Sequence, residues 1–65
     1  MKEYEITYTH DEMGDMIFRT SKWAHDAKAA VRFMLQKNPE QDGTCIFKRG
    51  GKGKIVSTKE ITNNQ

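Results

Sequence analysis

The chain has 65 residues and a mass of 7.5 kDa, enough for one domain with a thin core. Its 11 basic residues nearly balance 9 acidic ones, leaving +2, and 35% of its residues are hydrophobic and gathered into short runs. That balance reads as a small folded domain rather than a disordered chain, and no apolar run approaches the roughly 20 residues of a membrane helix.

The first element is set by alternation. Tyr4, Ile6, Tyr8 and His10 alternate with Glu5, Thr7 and Thr9, the period of a half-buried strand. Asp11–Asp15 then reads as a turn, because Gly14 tolerates positive φ and aspartate favours turns. Met16–Thr20 is predicted as a second strand, with Met16 and Phe18 on one side, so the chain opens with a β-hairpin.

From about Ser21 to Lys37 the period becomes helical. Trp23, Ala27, Ala30, Val31 and Met34 fall on one stripe, flanked by Phe33 and Leu35, and opposite them lie His25, Lys28, Arg32 and Gln36. Two starts are open. Ser21 is a candidate N-cap, whereas a start near His25–Asp26 puts an acid in the first turn, where the helix dipole favours it. Asn38–Pro39 closes the element, since a residue before proline disfavours the α region.

Glu40–Gly43 reads as a loop and Thr44–Arg49 as a third strand rich in β-formers. Gly50–Gly53 is a glycine-rich loop, and Lys54–Lys59, extended by Glu60 and Ile61, is a fourth strand. The predicted fold is an α+β two-layer sandwich of order β-β-α-β-β. One antiparallel four-stranded sheet carries one helix on one face. Residues 1–61 are expected to form the single domain, and residues 62–65 a mobile polar tail. The expected core joins Tyr4, Ile6, Tyr8 and Phe18 to Ala27, Val31 and Met34, with at least one of Ile46, Phe47 or Val56. Strand order stays open at this level.

The run Tyr4-x-Ile6-x-Tyr8, a hairpin, Ala27–Ala30 through Phe33 to Asn38–Pro39, and a closing strand pair resembles small ββαββ proteins of phages and mobile elements. The resemblance spans most of the chain. It implies the fold and a phage or mobile-element origin, hence a host cytoplasm, and carries over no functional residue.

Function is sought in four side-chain groups. Lys48, Arg49, Lys52 and Lys54 place four positive charges in seven residues with no acid between them, beside three glycines. Such glycines let a backbone approach phosphate and offer its N–H groups as donors. The charge is asymmetric: residues 1–20 carry −3, residues 21–38 carry +3 and residues 39–65 carry +2. Lys28 and Arg32 of the helix are therefore candidate partners in a basic, nucleic-acid-binding patch. The plainer alternative is a solvated turn, where lysine also guards an edge strand. Stacking of bases on the sheet is not expected, because Tyr4 and Tyr8 share the helix-facing parity and the other face offers Glu3 and Glu5.

Trp23 and Phe33 are the candidate protein-interface residues, although Trp23 on an apolar stripe also reads as core. His10, His25 and Cys45 are the only residues suited to nucleophilic or acid–base work, and their spacing forms no catalytic or metal-binding motif. A lone cysteine forms no internal disulfide, which favours a cytoplasmic setting. No cofactor and no enzymatic activity are expected. The sequence reading is a small binding protein that contacts nucleic-acid phosphates. Its alternative is a phage or mobile-element accessory protein that binds and modulates a host protein. A homodimer suits so thin a core.

Overall fold

A computed structural model of the chain describes residues 1–14 and 16–61. The expected tail, residues 62–65, lies outside the described residues. The strands are β1 (Lys2–His10), β2 (Ile17–Ala24), β3 (Cys45–Ile46) and β4 (Lys52–Glu60), with one helix, α1 (Ala27–Arg32), between the hairpins. They form one antiparallel sheet of order β2-β1-β4-β3, so the α+β sandwich holds and β1 with β4 makes the seam between the hairpins. No helix among the described residues is long and apolar enough to cross a membrane.

Alternation along β1 creates two unlike faces. Tyr4 and Ile6 are buried toward the helix, and Ile6 is 0% exposed. Register carries the same parity to β2, where Phe18, Thr20, Lys22 and Ala24 lie opposite Tyr8, Ile6, Tyr4 and Lys2. The other face presents Ile17, Arg19, Ser21 and Trp23 opposite Thr9, Thr7, Glu5 and Glu3. The turn between β1 and β2 opens with a 3₁₀ turn (Asp11–Met13), and Gly14 sits at φ 64° just after it.

The helix differs from the sequence expectation at both ends. Ser21–Ala24 continue β2 instead of opening a helix, because the hairpin register runs on to Lys2 opposite Ala24. Trp23 therefore does not lie on the helical stripe; it stands on the helix-free face, 57% exposed. The later of the two open starts is the observed one. Asp26 is the N-cap, its Oδ1 accepting from the Ala29 N–H at 2.8 Å. The helix ends at Arg32 rather than Lys37, since Met34 and Leu35 donate to Val31 and Arg32 in i→i−3 bonds that tighten the last turn.

Leu35 then joins the sheet side. It bridges Phe47, with Gln36 N–H donating to Ile46 at 2.9 Å and Lys48 N–H donating to Met34 at 2.8 Å. The main chain at residues 34–36 thereby covers the outer edge of β3. The third strand is correspondingly two residues, not six, because at Phe47 the chain already turns toward Gly50 and Gly51. Upstream, Asp42 accepts from the Thr44 N–H at 2.9 Å, a bond that holds its carboxyl below the ordinary carboxylate range.

The core has two cores of contact. Tyr4, Ile6, Ala24 and Ala30 form one, and Leu35, Cys45 and Phe47 the other. Tyr8, Val31, Met34 and Ile55 pack against both and join them. Phe18 is only half-buried and stacks on Tyr8, with ring centroids 5.7 Å apart. Val56 lies outside the core, 56% exposed, because the β1–β4 register shifts between Thr7 and Tyr8 and leaves it as the extra residue of a bulge.

Gly53, a loop residue on the sequence pattern, is instead buried inside β4, where an added Cβ would collide with the Thr9 carbonyl and the Phe47 ring. Gly53→Ala is therefore expected to cost more than about 2 kcal/mol, through overpacking and backbone displacement. Ile6→Ala is expected to cost about 2–5 kcal/mol by leaving a cavity. Denaturant melts of the two variants check both figures, and a loss below about 0.5 kcal/mol in either would contradict this packing.

Candidate nucleic-acid interface

Six residues of helix span only about 9 Å. The helix packs near Tyr4, Ile6 and Ala24, while the Tyr8–His10 end of the same sheet face lines an open groove of 440 Å³. Tyr8 and His10 of β1 and Thr20 and Lys22 of β2 supply its sheet side. Phe33 and Met34, just past the helix, form a second wall, and the Phe47–Gly50 turn forms the third.

The aromatic floor is packed against itself. Phe47 lies 5.3 Å from Tyr8 and 5.8 Å from His10, measured between ring centroids. The His10 ring is held at both nitrogens: Nδ1 accepts from the Glu12 N–H at 3.3 Å and Nε2 donates to the Gly50 carbonyl at 3.4 Å. Such a ring is a structural strut of the groove.

The turn carrying Lys48 and Arg49 is similarly braced. Gly50 N–H donates to Phe47 at 2.9 Å, Phe47 N–H donates to Gly51 at 3.0 Å, and Gln36 Nε2 donates to the Phe47 carbonyl at 3.2 Å. Gly51 has φ 84°, and a Cβ there would strike the His10 imidazole. The sequence offers the N–H groups of the loop glycines to phosphate. Of these, the Gly50 N–H is bonded within the protein, to the Phe47 carbonyl.

The four charges of the sequence run are divided by the register. Lys48 and Arg49 line the groove. Lys54 lies opposite Thr9 and Lys52 opposite Ile46, on the helix-free face. Lys28 and Arg32 are exposed on the helix but do not line the groove, and the Arg32 guanidinium donates to the Asn38 side chain. In their place the structure brings Lys22 beside Lys48 and Arg49. Among the described residues, no carboxylate lines this groove. Phe33, 49% exposed, is part of its wall, whereas Trp23 stands on the opposite face of the sheet. The two candidate interface aromatics are thus on different surfaces. The signal for Lys22 was the alternation Phe18, Thr20, Lys22, which continues the parity of Tyr8.

Cys45 and His10 both lie opposite Gly53, on its two sides, so two strand spacings of roughly 10 Å separate them. That exceeds the reach of a hydrogen-bonded thiol–imidazole pair. Cys45 is buried, its Sγ donates to the Gly43 carbonyl at 3.5 Å, and burial pushes its thiol pKa up. A protonated, enclosed thiol is a poor nucleophile.

No family model, curated protein or solved structure matches the chain. The groove's own chemistry therefore carries the functional argument.

Cys45 gives this geometry a direct check. Its reaction with an aromatic disulfide reagent at neutral pH is expected to be slow in buffer and fast in denaturant, following unfolding of the chain. Equal rates in the two conditions would place the thiol at the surface.

Proposed function

We propose that this chain binds single-stranded nucleic acid in the groove between α1 and the Phe47–Gly50 turn. The observation that carries the reading is the company of Lys22, Lys48 and Arg49 around an aromatic floor, with no carboxylate among the described lining residues. Cations track the phosphates of a single strand, and aromatic rings accept any base by stacking, which together give binding that tolerates sequence. A volume of 440 Å³ also falls within the ordinary size of a small-ligand cleft and suits one nucleotide at a time.

Geometry favours a single strand over a duplex. The groove is concave, and a helix of six residues presents no long face to a major groove. Phe33 is the exposed platform for a base, while Tyr8 and Phe47 are engaged with each other and form the floor. Lys52 and Lys54, on the far face, contribute to the long-range field rather than to contacts in the groove.

The test is fluorescence anisotropy with labelled single- and double-stranded DNA and RNA oligonucleotides. Three phosphate contacts to a single strand are expected to give a log–log salt slope of about −2. Lys48→Glu with Arg49→Glu is expected to weaken binding at least tenfold while shifting stability by no more than about 0.5 kcal/mol. Phe33→Ala is expected to cost about 1–3 kcal/mol of binding through lost stacking. Lys52→Glu with Lys54→Glu is expected to cost clearly less than the turn pair. Absence of binding to all four probes, or indifference to the turn pair, would overturn the reading in favour of a protein partner.

A further inference from the structure

The geometry points to a symmetric dimer formed by antiparallel pairing of β2 with β2 of a second copy, with Thr20 on the two-fold axis. Strand order makes β2 an edge strand, eight residues long. It contains no proline and no bulge against β1, two of the devices that blunt an edge, and its charges are confined to Arg19 and Lys22, one on each face. The other edge strand, β3, is two residues long and already covered by the main chain of residues 34–36. Among the described strands, β2 therefore presents the one long bare edge.

The register follows from the side chains. Directly opposed residues in an antiparallel pair share a face, so groove-side residues must meet groove-side residues. That restricts the symmetry axis to a residue position. An axis at Arg19 sets two guanidinium groups against each other, and one at Lys22 does the same with ammonium groups, both penalised as like-charge pairs. An axis at Ser21 leaves Ile17 beyond the paired strand, still bare at 58% exposure.

An axis at Thr20 opposes Ile17 and Trp23 at both ends, the two exposed apolar side chains of the strand. Arg19 then faces Ser21, and Lys22 faces Phe18, so no like charges meet. An isologous contact of this kind is closed and stops at two copies.

This dimer has a consequence that rests on the proposed groove. Thr20 and Lys22 line the groove, and at this axis each Thr20 lies beside its twin on the same sheet face. The two grooves then abut across the axis, with Lys22, Lys48 and Arg49 repeated on either side. The ligand becomes a single strand long enough to cross both copies.

The experiment combines sedimentation equilibrium of the full chain with oxidative cross-linking. A species of twice the 7.5 kDa chain mass is expected at micromolar concentration. Trp23→Lys is expected to raise its dissociation constant at least tenfold while the melt stays cooperative. Thr20→Cys is expected to cross-link to itself, since opposed Cα atoms lie about 4.5–5.5 Å apart, inside the disulfide range. Ile17→Cys is expected not to, because an offset of six residues separates its twins by about 20 Å. A chain that stays monomeric at millimolar concentration overturns the dimer whether or not any variant folds. Cross-linking of Ile17→Cys as readily as Thr20→Cys overturns the register. A dimer that binds no oligonucleotide overturns the functional reading alone, and a monomer that binds one overturns the dimer alone.

Discussion

Double pairing of β1 is the constraint on which this domain depends. The strand bonds to β2 along one side and to β4 along the other, so its alternation is imposed on three strands at once. Ile6 sits at the middle of that arrangement and is wholly enclosed. Tyr8, one pleat further, touches both halves of the core and keeps them from being separate clusters. The close approach of β4 to β1 at Gly53 is part of the same constraint. Without a Cβ there, the Phe47 ring lies over the strand and becomes the floor of the groove. Packing and site share this residue, so the groove cannot be remodelled there without cost to the fold.

The groove itself arises from a shortage of helix. The chain spends Ser21–Ala24 on completing β2 and the residues after Arg32 on sealing the edge of β3. What remains for α1 is about 1.7 turns, enough to pack near Tyr4 and Ile6 and not enough to reach His10. The uncovered end of the sheet is closed instead by the braced Phe47–Gly51 turn. Its two cations are therefore held on a rigid support, which lowers the entropy lost when they meet an anion.

The fold was legible because alternation in β1 and the helical stripe at Ala27–Met34 have distinct periods. The error at Ser21–Ala24 has a physical origin. Trp23, Ala27 and Ala30 satisfy a helical spacing, while Phe18, Thr20, Lys22 and Ala24 satisfy a strand spacing, and local pattern does not rank the two. Long-range register decided it, through the pairing of Lys2 with Ala24. The site was less legible. Lys48, Arg49, Lys52 and Lys54 are neighbours in sequence, but a turn followed by a strand sends two to the groove and two to the opposite face. Lys22 enters from a distant segment through strand parity, and Lys28 and Arg32 drop away because the helix stops short of the groove.

Extension of β2 past Thr20 thus has three effects with one cause. It removes Trp23 from the helix and sets it on the open face, it aims Lys22 into the groove, and it lengthens the bare edge to eight residues. A β2 ending at Thr20 would have left a groove with two cations and an edge too short for symmetric pairing of any stability. The wall of the groove and the bare edge are the two sides of the same strand. Side chains perpendicular to the sheet serve the groove, and main-chain groups in its plane serve the edge. The proposed ligand in the groove and the proposed second copy at the edge would therefore use different atoms of the same residues. Occupation of one would leave the other open, and each would stabilise the strand that both require.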